Sequence, residues 1–363
     1  MAAGLELAGN PSSIHAEGRA ARAVIEGARG EVAALVGARA RDVIFTSGGT
    51  EAATLALFGG LRAAGGAAVT RLLVSATEHA CVLAGHRFPA EAVTVLPCGA
   101  DGRLDLAALE AVVRGEGPAL LALQAANNET GVLQPMAEAA AMVHAAGGIV
   151  FCDAAQAAGR IACDIRALGA DMLALSAHKF GGPKGAGALV LAPDAGDLTT
   201  PLLRGGGQER GRRAGTENVA AIAGFGAAAA DAARGLAGEA ERLAALRAAL
   251  EAAIRAAAPD AVFFAVGAPR LPNTTAFAIP GVAAETLLIA FDLADVAASS
   301  GSACSSGKVE ASHVLAAMGI APDIARGALR LSLGWSSTAD EVAAFASLFE
   351  NVLRRMRPAR QAA

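Results

Sequence analysis

Residues 149–185 read IVFCDAAQAAGRIACDIRALGADMLALSAHKFGGPKG. Two short apolar runs, 149–152 and 172–175, frame an Ala-rich stretch. Each run ends on polar residues: Asp153 after the first, then Ser176, His178 and Lys179 after the second. Short continuous apolar runs of this kind read as strands buried on both faces, the pattern of a parallel sheet. Ligands of such sheets bind beyond the carboxyl ends of the strands. One βαβ step therefore places Asp153 and Lys179 at one sheet edge.

The same alternation extends outward. Strands are predicted at 42–46, 72–75, 92–96, 120–124 and 188–191, with helices over 50–62, 82–88, 106–114 and 135–145. Strands alternating with helices give an α/β fold with a mostly parallel, covered sheet. Residues 216–257 read as helix with a break near Arg234-Gly235. Strands at 261–266 and 274–279, a helix near 285–293, a Ser/Gly loop at 299–307, a strand at 328–333 and a helix from Thr338 follow. The expected division is a large domain over 1–236 and a smaller α/β domain over 237–363.

Composition excludes several classes. The chain has 363 residues, 54% of them hydrophobic, and a formal net charge of −4. It is neither a disordered chain nor a strongly basic nucleic-acid binder. Mean hydropathy is +0.45, much of it from alanine. No uncharged apolar run reaches the ~18 residues of a spanning helix, and no signal-peptide pattern opens the chain. No nucleic acid or membrane partner is expected, and the cytoplasm is the default location. Five cysteines, at 81, 98, 152, 163 and 304, form no CxxC pair. That argues against a disulfide framework or structural zinc, and the first four read as small buried hydrophobes.

Lysine is scarce: only Lys179, Lys184 and Lys308 stand against 27 arginines. A lysine kept at a strand's end is suited to form a Schiff base with a carbonyl cofactor. Pyridoxal 5'-phosphate needs such an amine, and a carboxylate such as Asp153 for its ring nitrogen; taken alone, Asp153 is equally a helix N-cap. The turn TSGGTEAATLAL, 46–57, offers Gly48, Gly49 and Thr50 at a helix start, a ready anion site, though many βα turns are Gly-rich. His79 is placed to stack on a planar ring or move protons, or is simply a first-turn residue. Asn127 and Asn128 follow a strand, as amide donors or turn residues. GGGQERGRRAGTEN, 205–218, reads as an anion-binding loop or a solvated linker. Cys304, in SSGSACSSG, reads as an exposed nucleophilic thiol. Arg330 lies opposite the Leu329, Leu331 and Leu333 face of its strand, as a carboxylate clamp or an edge arginine.

Together these residues resemble the cysteine desulfurases of the NifS/IscS kind, class V members of the pyridoxal-phosphate-dependent aminotransferases. The matching stretches are GNPSSIH, DVIFTSGGTEAATLA, TEHACVL, NNETGVLQP, DAAQAAGR, SAHKFGGPKG, GGGQERGRRAGTEN, SSGSACSSG and LRLSLG, in order from residue 9 to 334. The resemblance implies the type I fold of these transferases and assigns roles residue by residue. Lys179 carries the cofactor aldehyde, Asp153 pairs with the ring nitrogen, and His79 stacks on the ring. Gln156 meets the phenolic oxygen. Gly49, Thr50, Ser176 and His178 hold the phosphate, with Thr216 supplied by the other subunit of a homodimer. Asn128, also a cofactor contact, and Arg330 orient the substrate carboxylate. Cys304 takes the sulfur of L-cysteine as a persulfide, leaves L-alanine, and passes the sulfur to an acceptor or iron–sulfur scaffold protein. Its only expected metal role is as a transient iron–sulfur ligand.

Family members usually begin with a further strand and an Asn-Ala-Thr motif about twenty residues before GNPSS. The chain starts at MAAGLELAGN without them, so either a start called late or a truncated protein is expected. The competing readings are another class V activity, a transaminase or selenocysteine lyase, and a weakly active sulfur carrier. Cys304 discriminates, since a transaminase has no use for a mobile thiol.

Overall fold

The computed structural model describes residues 1–62, 66–115, 117–193, 195, 196, 198, 200–301 and 312–356. The chain divides into two compact units. The first comprises Met1–Pro97, Leu104–Ala126 and Gln134–Leu236; the second comprises Cys98–Arg103, Asn127–Leu133 and Ala237–Ala363.

The first unit is built on seven strands: β1 (Val43–Thr46), β2 (Arg71–Ser75), β3 (Val93–Leu96), β4 (Ala119–Gln124), β5 (Ile149–Asp153), β6 (Met172–Ser176) and β7 (Gly187–Leu191). Their order is β1-β7-β6-β5-β4-β2-β3. The pairs from β3 through β6 are parallel, and β7 runs antiparallel to both β6 and β1. Residues 177–186 between β6 and β7 are too few for a crossover, which takes about a dozen. The reversal of β7 follows from that short link.

Helices α1 (Ala2–Leu5), α2 (Ala16–Leu35), α3 (Gly49–Gly59), α4 (Ala80–Leu83), α5 (Leu106–Val113) and α6 (Met136–Ala145) accompany the sheet. Ile44, Leu55, Leu57, Leu72, Val74, Phe151 and Leu189 form one buried core. Each such side chain contributes roughly 1.5–3 kcal/mol on burial. β4, β6 and β7 are buried at every residue, which explains their unbroken apolar runs.

α7 (Val219–Ala257) begins in the first unit and ends in the second. It is continuous, so the break expected near Arg234-Gly235 does not occur. Nothing lies within 4 Å of where a Gly235 side chain would be. One exposed glycine costs about 1 kcal/mol against alanine, too little to interrupt so long an Ala-rich helix. Its most apolar 18-residue window has a mean hydropathy of 1.2, enough by length and composition to cross a membrane. Phe225 nonetheless packs edge-on against Phe45 in the first unit.

The second unit carries β8 (Val262–Phe263), β9 (Thr274–Ala278), β10 (Ser299–Ser300) and β11 (Ala328–Ser332), ordered β10-β11-β9-β8 and wholly antiparallel. Helices α8 (Ala284–Asp292), α9 (His313–Ala317), α10 (Pro322–Ala325) and α11 (Ala339–Met356) complete it. Phe277, Phe291, Phe345 and Phe349 form its aromatic centre, the last two stacked at 5.6 Å. The strand expected over 261–266 is cut to two residues, because Ala265 takes a φ of +54° and turns the chain. The helix expected over 82–88 is instead the single turn α4.

Candidate active site

The β1–α3 turn makes an anion cradle. Gly48 precedes α3 and offers no side chain to cap its free N–H groups. Those amides and the helix dipole favour an anion. A Cβ on Gly49 would lie 3.3 Å from the Ser176 Cβ, so the start of α3 meets the end of β6 closely. A Cβ on Gly187 would lie 2.5 Å from the Gly48 carbonyl carbon, so only glycine fits there. Thr50 is exposed at the same helix start, and Ser176 is buried beside it.

Asp153 ends β5, and its Oδ1 accepts the Ala155 N–H at 2.9 Å. It is partly reachable by solvent. Desolvation is nevertheless the largest influence on its carboxyl and raises its pKa, while the Ala155 N–H, His79 and Lys179 oppose the rise. His79, the N-cap of α4, accepts the Cys81 N–H on Nδ1 at 3.1 Å, so its neutral form carries the proton on Nε2. Lys179 lies in the 3-10 turn Ala177–Phe180 directly after β6. Arg160 ties this turn to the β5 side: it donates to the Lys179 carbonyl at 2.7 Å and to the Gln156 carbonyl and Oε1 at 2.7 and 3.2 Å. His178 is exposed, and its pKa is lowered by desolvation and by Lys179, Lys184 and Arg160.

Sequence reasoning missed Glu78. It is fully buried and accepts the Gln124 N–H at 2.6 Å, one strand over from Asp153. Burial, reinforced by Asp153, holds its pKa well above the usual carboxylate range. Its place between a strand end and His79 was the available signal.

These residues fit the cofactor expected from sequence. The uncapped α3 terminus suits a phosphate, and Lys179 supplies an amine. Asp153 is a carboxylate whose burial a cationic ring nitrogen would offset.

The segment bearing Thr216 is fastened to the first unit. Arg29 grips Glu209 through two hydrogen bonds of 2.6 and 2.8 Å, and Glu209 also accepts the Phe45 N–H at 3.0 Å. Arg213 donates to Glu51 at 2.8 Å. Burial pushes Glu51 up, but Arg213 and Ser47 outweigh it and hold its pKa below the usual value. Glu209 and Arg210 adopt left-handed φ of 47° and 59°, a strained turn held by this buried pair. Thr216 is exposed and borders a cavity of about 220 Å³ that Ser47, Gly185 and Arg213 also line.

Asn128 and Arg330 belong to the second unit. Arg330 Nη1 donates to the Asn128 carbonyl at 2.6 Å, and Nη2 to Ser299 Oγ at 3.1 Å. Asn127 Oδ1 accepts the N–H groups of Glu129 and Thr130, both at 2.9 Å, and so shapes the turn that presents Asn128. Glu129, a second residue missed in sequence, is buried and accepts the Ser312 hydroxyl at 2.5 Å. Burial raises its pKa to about 7, against the pull of Ser312 and Arg330. A carboxyl raised by folding gives stability that is complete below about pH 4.5 and is lost as pH rises through about 7. Glu129→Gln is therefore expected to unfold at higher urea than the native chain near pH 8.5, by up to about 3 kcal/mol. The gap should close toward pH 4.5; an equal gap at both pH values would count against the buried-acid account.

Cys304 lies outside the described residues. Of the other cysteines, Cys152 and Cys163 are buried, as expected, whereas Cys81 and Cys98 are only half-buried. Each packs against a hydrophobic core as a partly buried side chain. Among the described residues no cluster of three or more His, Cys, Asp or Glu is arranged to hold a metal.

The profile of the family described as "Aminotransferase class-V" matches residues 4–345. A cysteine desulfurase of Cereibacter sphaeroides is 42% identical over 354 residues, covering 96% of the chain and 89% of that protein. The X-ray structure of a NifS-like protein from Rickettsia africae ESF-5 superposes with a TM-score of 0.87 at 33% identity, covering 97% of the chain and 94% of its own. A structure described as "SspA in complex with cysteine" superposes with a TM-score of 0.72 at 29% identity, covering 90% and 91%.

Proposed function

The chain belongs to the class V aminotransferase family and is an enzyme of its cysteine desulfurase branch; from that premise we propose that it uses pyridoxal 5'-phosphate to convert L-cysteine to L-alanine, with the sulfur left as a persulfide on Cys304. Bound pyridoxal phosphate supplies an electron sink for negative charge at the substrate α-carbon. The residues around it do the rest. Asp153 would pair with the ring nitrogen and keep it cationic. Lys179, on the turn after β6, would hold the cofactor aldehyde through its amine. His79 would stack on the ring and help move protons, and Gln156 would bind the phenolic oxygen. Gly49, Thr50, Ser176 and His178 hold the phosphate. Asn128 and Arg330 orient the substrate carboxylate.

The Cys304 thiolate then attacks the substrate sulfur. An S–S bond forms as the substrate C–S bond breaks, and the carbon takes up a proton. The net change is L-cysteine plus a thiol giving L-alanine plus a persulfide, with no external oxidant. The persulfide passes to an acceptor protein, an iron–sulfur scaffold or the donor path to another thio-cofactor, in the cytoplasm.

The observation that carries this reading is Asp153, a half-buried carboxylate at the end of β5 whose raised pKa is opposed by His79 and Lys179. The direct test is alanine release from L-cysteine by the cofactor-loaded protein. Absence of alanine would overturn the reading.

We further propose a homodimer in which Thr216 serves the partner's cofactor phosphate. The support is an exposed Thr216 on a segment braced by Arg29–Glu209 and Arg213–Glu51. Co-expressed Lys179→Ala and Thr216→Val chains should then regain activity, because one site per heterodimer escapes both changes. Heterodimers that form without recovery would exclude the shared site.

A further inference from the structure

Glu129 has no part in the reaction as assigned above, yet its surroundings are those of a functional group. Its carboxyl is buried within the second unit. Ser312 Oγ donates to it at 2.5 Å while accepting the Leu315 N–H at 3.0 Å as the N-cap of α9. A Cβ on Gly301 would lie 3.2 Å from Glu129 Oε2, so the β10 side closes over the same oxygen. The preceding residue's carbonyl is the one gripped by Arg330 Nη1. Carboxyl and guanidinium are thus held on neighbouring backbone positions, and Arg330 is the charged group whose field acts on Glu129. Among the described residues, two further charged or titratable groups lie close by in the chain or the fold. Arg270, on the bridge opposite Val132, pairs with Glu251 at 3.0 Å, and His313 beside Ser312 is exposed.

We propose that Glu129 is a positioning residue for Arg330, its buried carboxyl governing by its charge how strongly that guanidinium draws a substrate carboxylate. The inference rests on the proposed function, in which Arg330 binds the carboxylate of L-cysteine. Neutral Glu129 leaves the guanidinium charge to the substrate. Anionic Glu129 shares that charge and adds a like charge close to the incoming carboxylate. Because burial brings the Glu129 pKa to about 7, the change falls within the working range of pH. Reciprocity then requires a bound carboxylate to favour the protonated form of Glu129.

The test uses the cofactor-loaded protein and two non-reacting amines, L-alanine and its carboxylate-free analogue L-alaninol. Each is titrated by the change it causes in the visible spectrum, from about pH 6 to 8.5. The ratio of their affinities isolates the carboxylate contact and cancels effects common to both amines. In the native chain the preference for alanine should fall roughly ten-fold across this range. Glu129→Gln, which keeps an acceptor for Ser312, should hold the low-pH preference throughout, and Glu129→Asp should restore the fall. The same split should reach KM for L-cysteine and leave kcat near native in Glu129→Gln. A fall in preference that persists undiminished in Glu129→Gln would overturn the role of Glu129. Failure of the native chain to bind alanine at any pH would instead overturn the proposed function on which it rests.

Discussion

Lys179→Ala is expected to remove both the visible absorbance of the cofactor-loaded protein and at least about a thousandfold of alanine formation. The effect is chemical, because the amine is lost while the backbone of its turn keeps its bonds. Arg160 holds the turn through the Lys179 carbonyl, which alanine also has. The turn itself closes on backbone bonds, with the Gly182 N–H donating to the Ala177 carbonyl at 3.0 Å. The cofactor-free variant should therefore still fold, its thermal unfolding differing from the native chain only by the lost field on Asp153. Loss of the ammonium also removes one of the fields that oppose the raised pKa of Asp153. The carboxylate is then harder to ionise and the ring nitrogen less firmly held. Lys184, exposed five residues further on, is the control; Lys184→Ala should keep the colour and the activity. Colour and activity surviving in Lys179→Ala would remove the assignment of pyridoxal phosphate.

What was legible beforehand follows the physics of each element. β4, β6 and β7 could be read because residues buried on both faces must be continuously apolar. The direction of β7 is written in the length of the link before it, not in the strand. α2 went unread although Ala21, Ile25, Ala28 and Val32 recur at helical spacing and are all buried. Alanine is a weak apolar signal, and the stripe blends into its surroundings. In the site, residues just after strands could be found because ligands collect there. Pairs made by the fold could not. Arg29 meets Glu209 across 180 positions, and Arg330 meets the Asn128 carbonyl across 202. Glu78 and Glu129 were hidden for another reason. A glutamate in a polar motif reads as a solvated side chain, and only the fold reveals that each turns inward.

Cys304→Ser is expected to bind pyridoxal phosphate and L-cysteine as the native chain does, yet to form no persulfide and release no alanine above background. Neither binding step requires the thiol, whereas sulfur transfer requires a thiolate. The other cysteines are poorly suited to that task. Burial pushes the Cys163 thiol up to about 12, leaving roughly one thiolate in a hundred thousand at neutral pH. Cys152 is fully buried and raised well above the ordinary value, by desolvation first and then by Cys163, Asp153 and Glu78. Cys98 is raised by desolvation and by Asp101. Cys81 is half-buried on α4, where its amide bonds His79. A thiol at the ordinary pKa of ~8.5 is ionised to a few per cent at pH 7, which exceeds the Cys163 fraction by more than a thousandfold. Replacing Cys81, Cys98, Cys152 and Cys163 should accordingly change stability more than chemistry. Mass-spectrometric mapping after incubation with L-cysteine should find the extra sulfur on the peptide containing Cys304. A persulfide on another cysteine, together with undiminished alanine release by Cys304→Ser, would displace Cys304 as the acceptor.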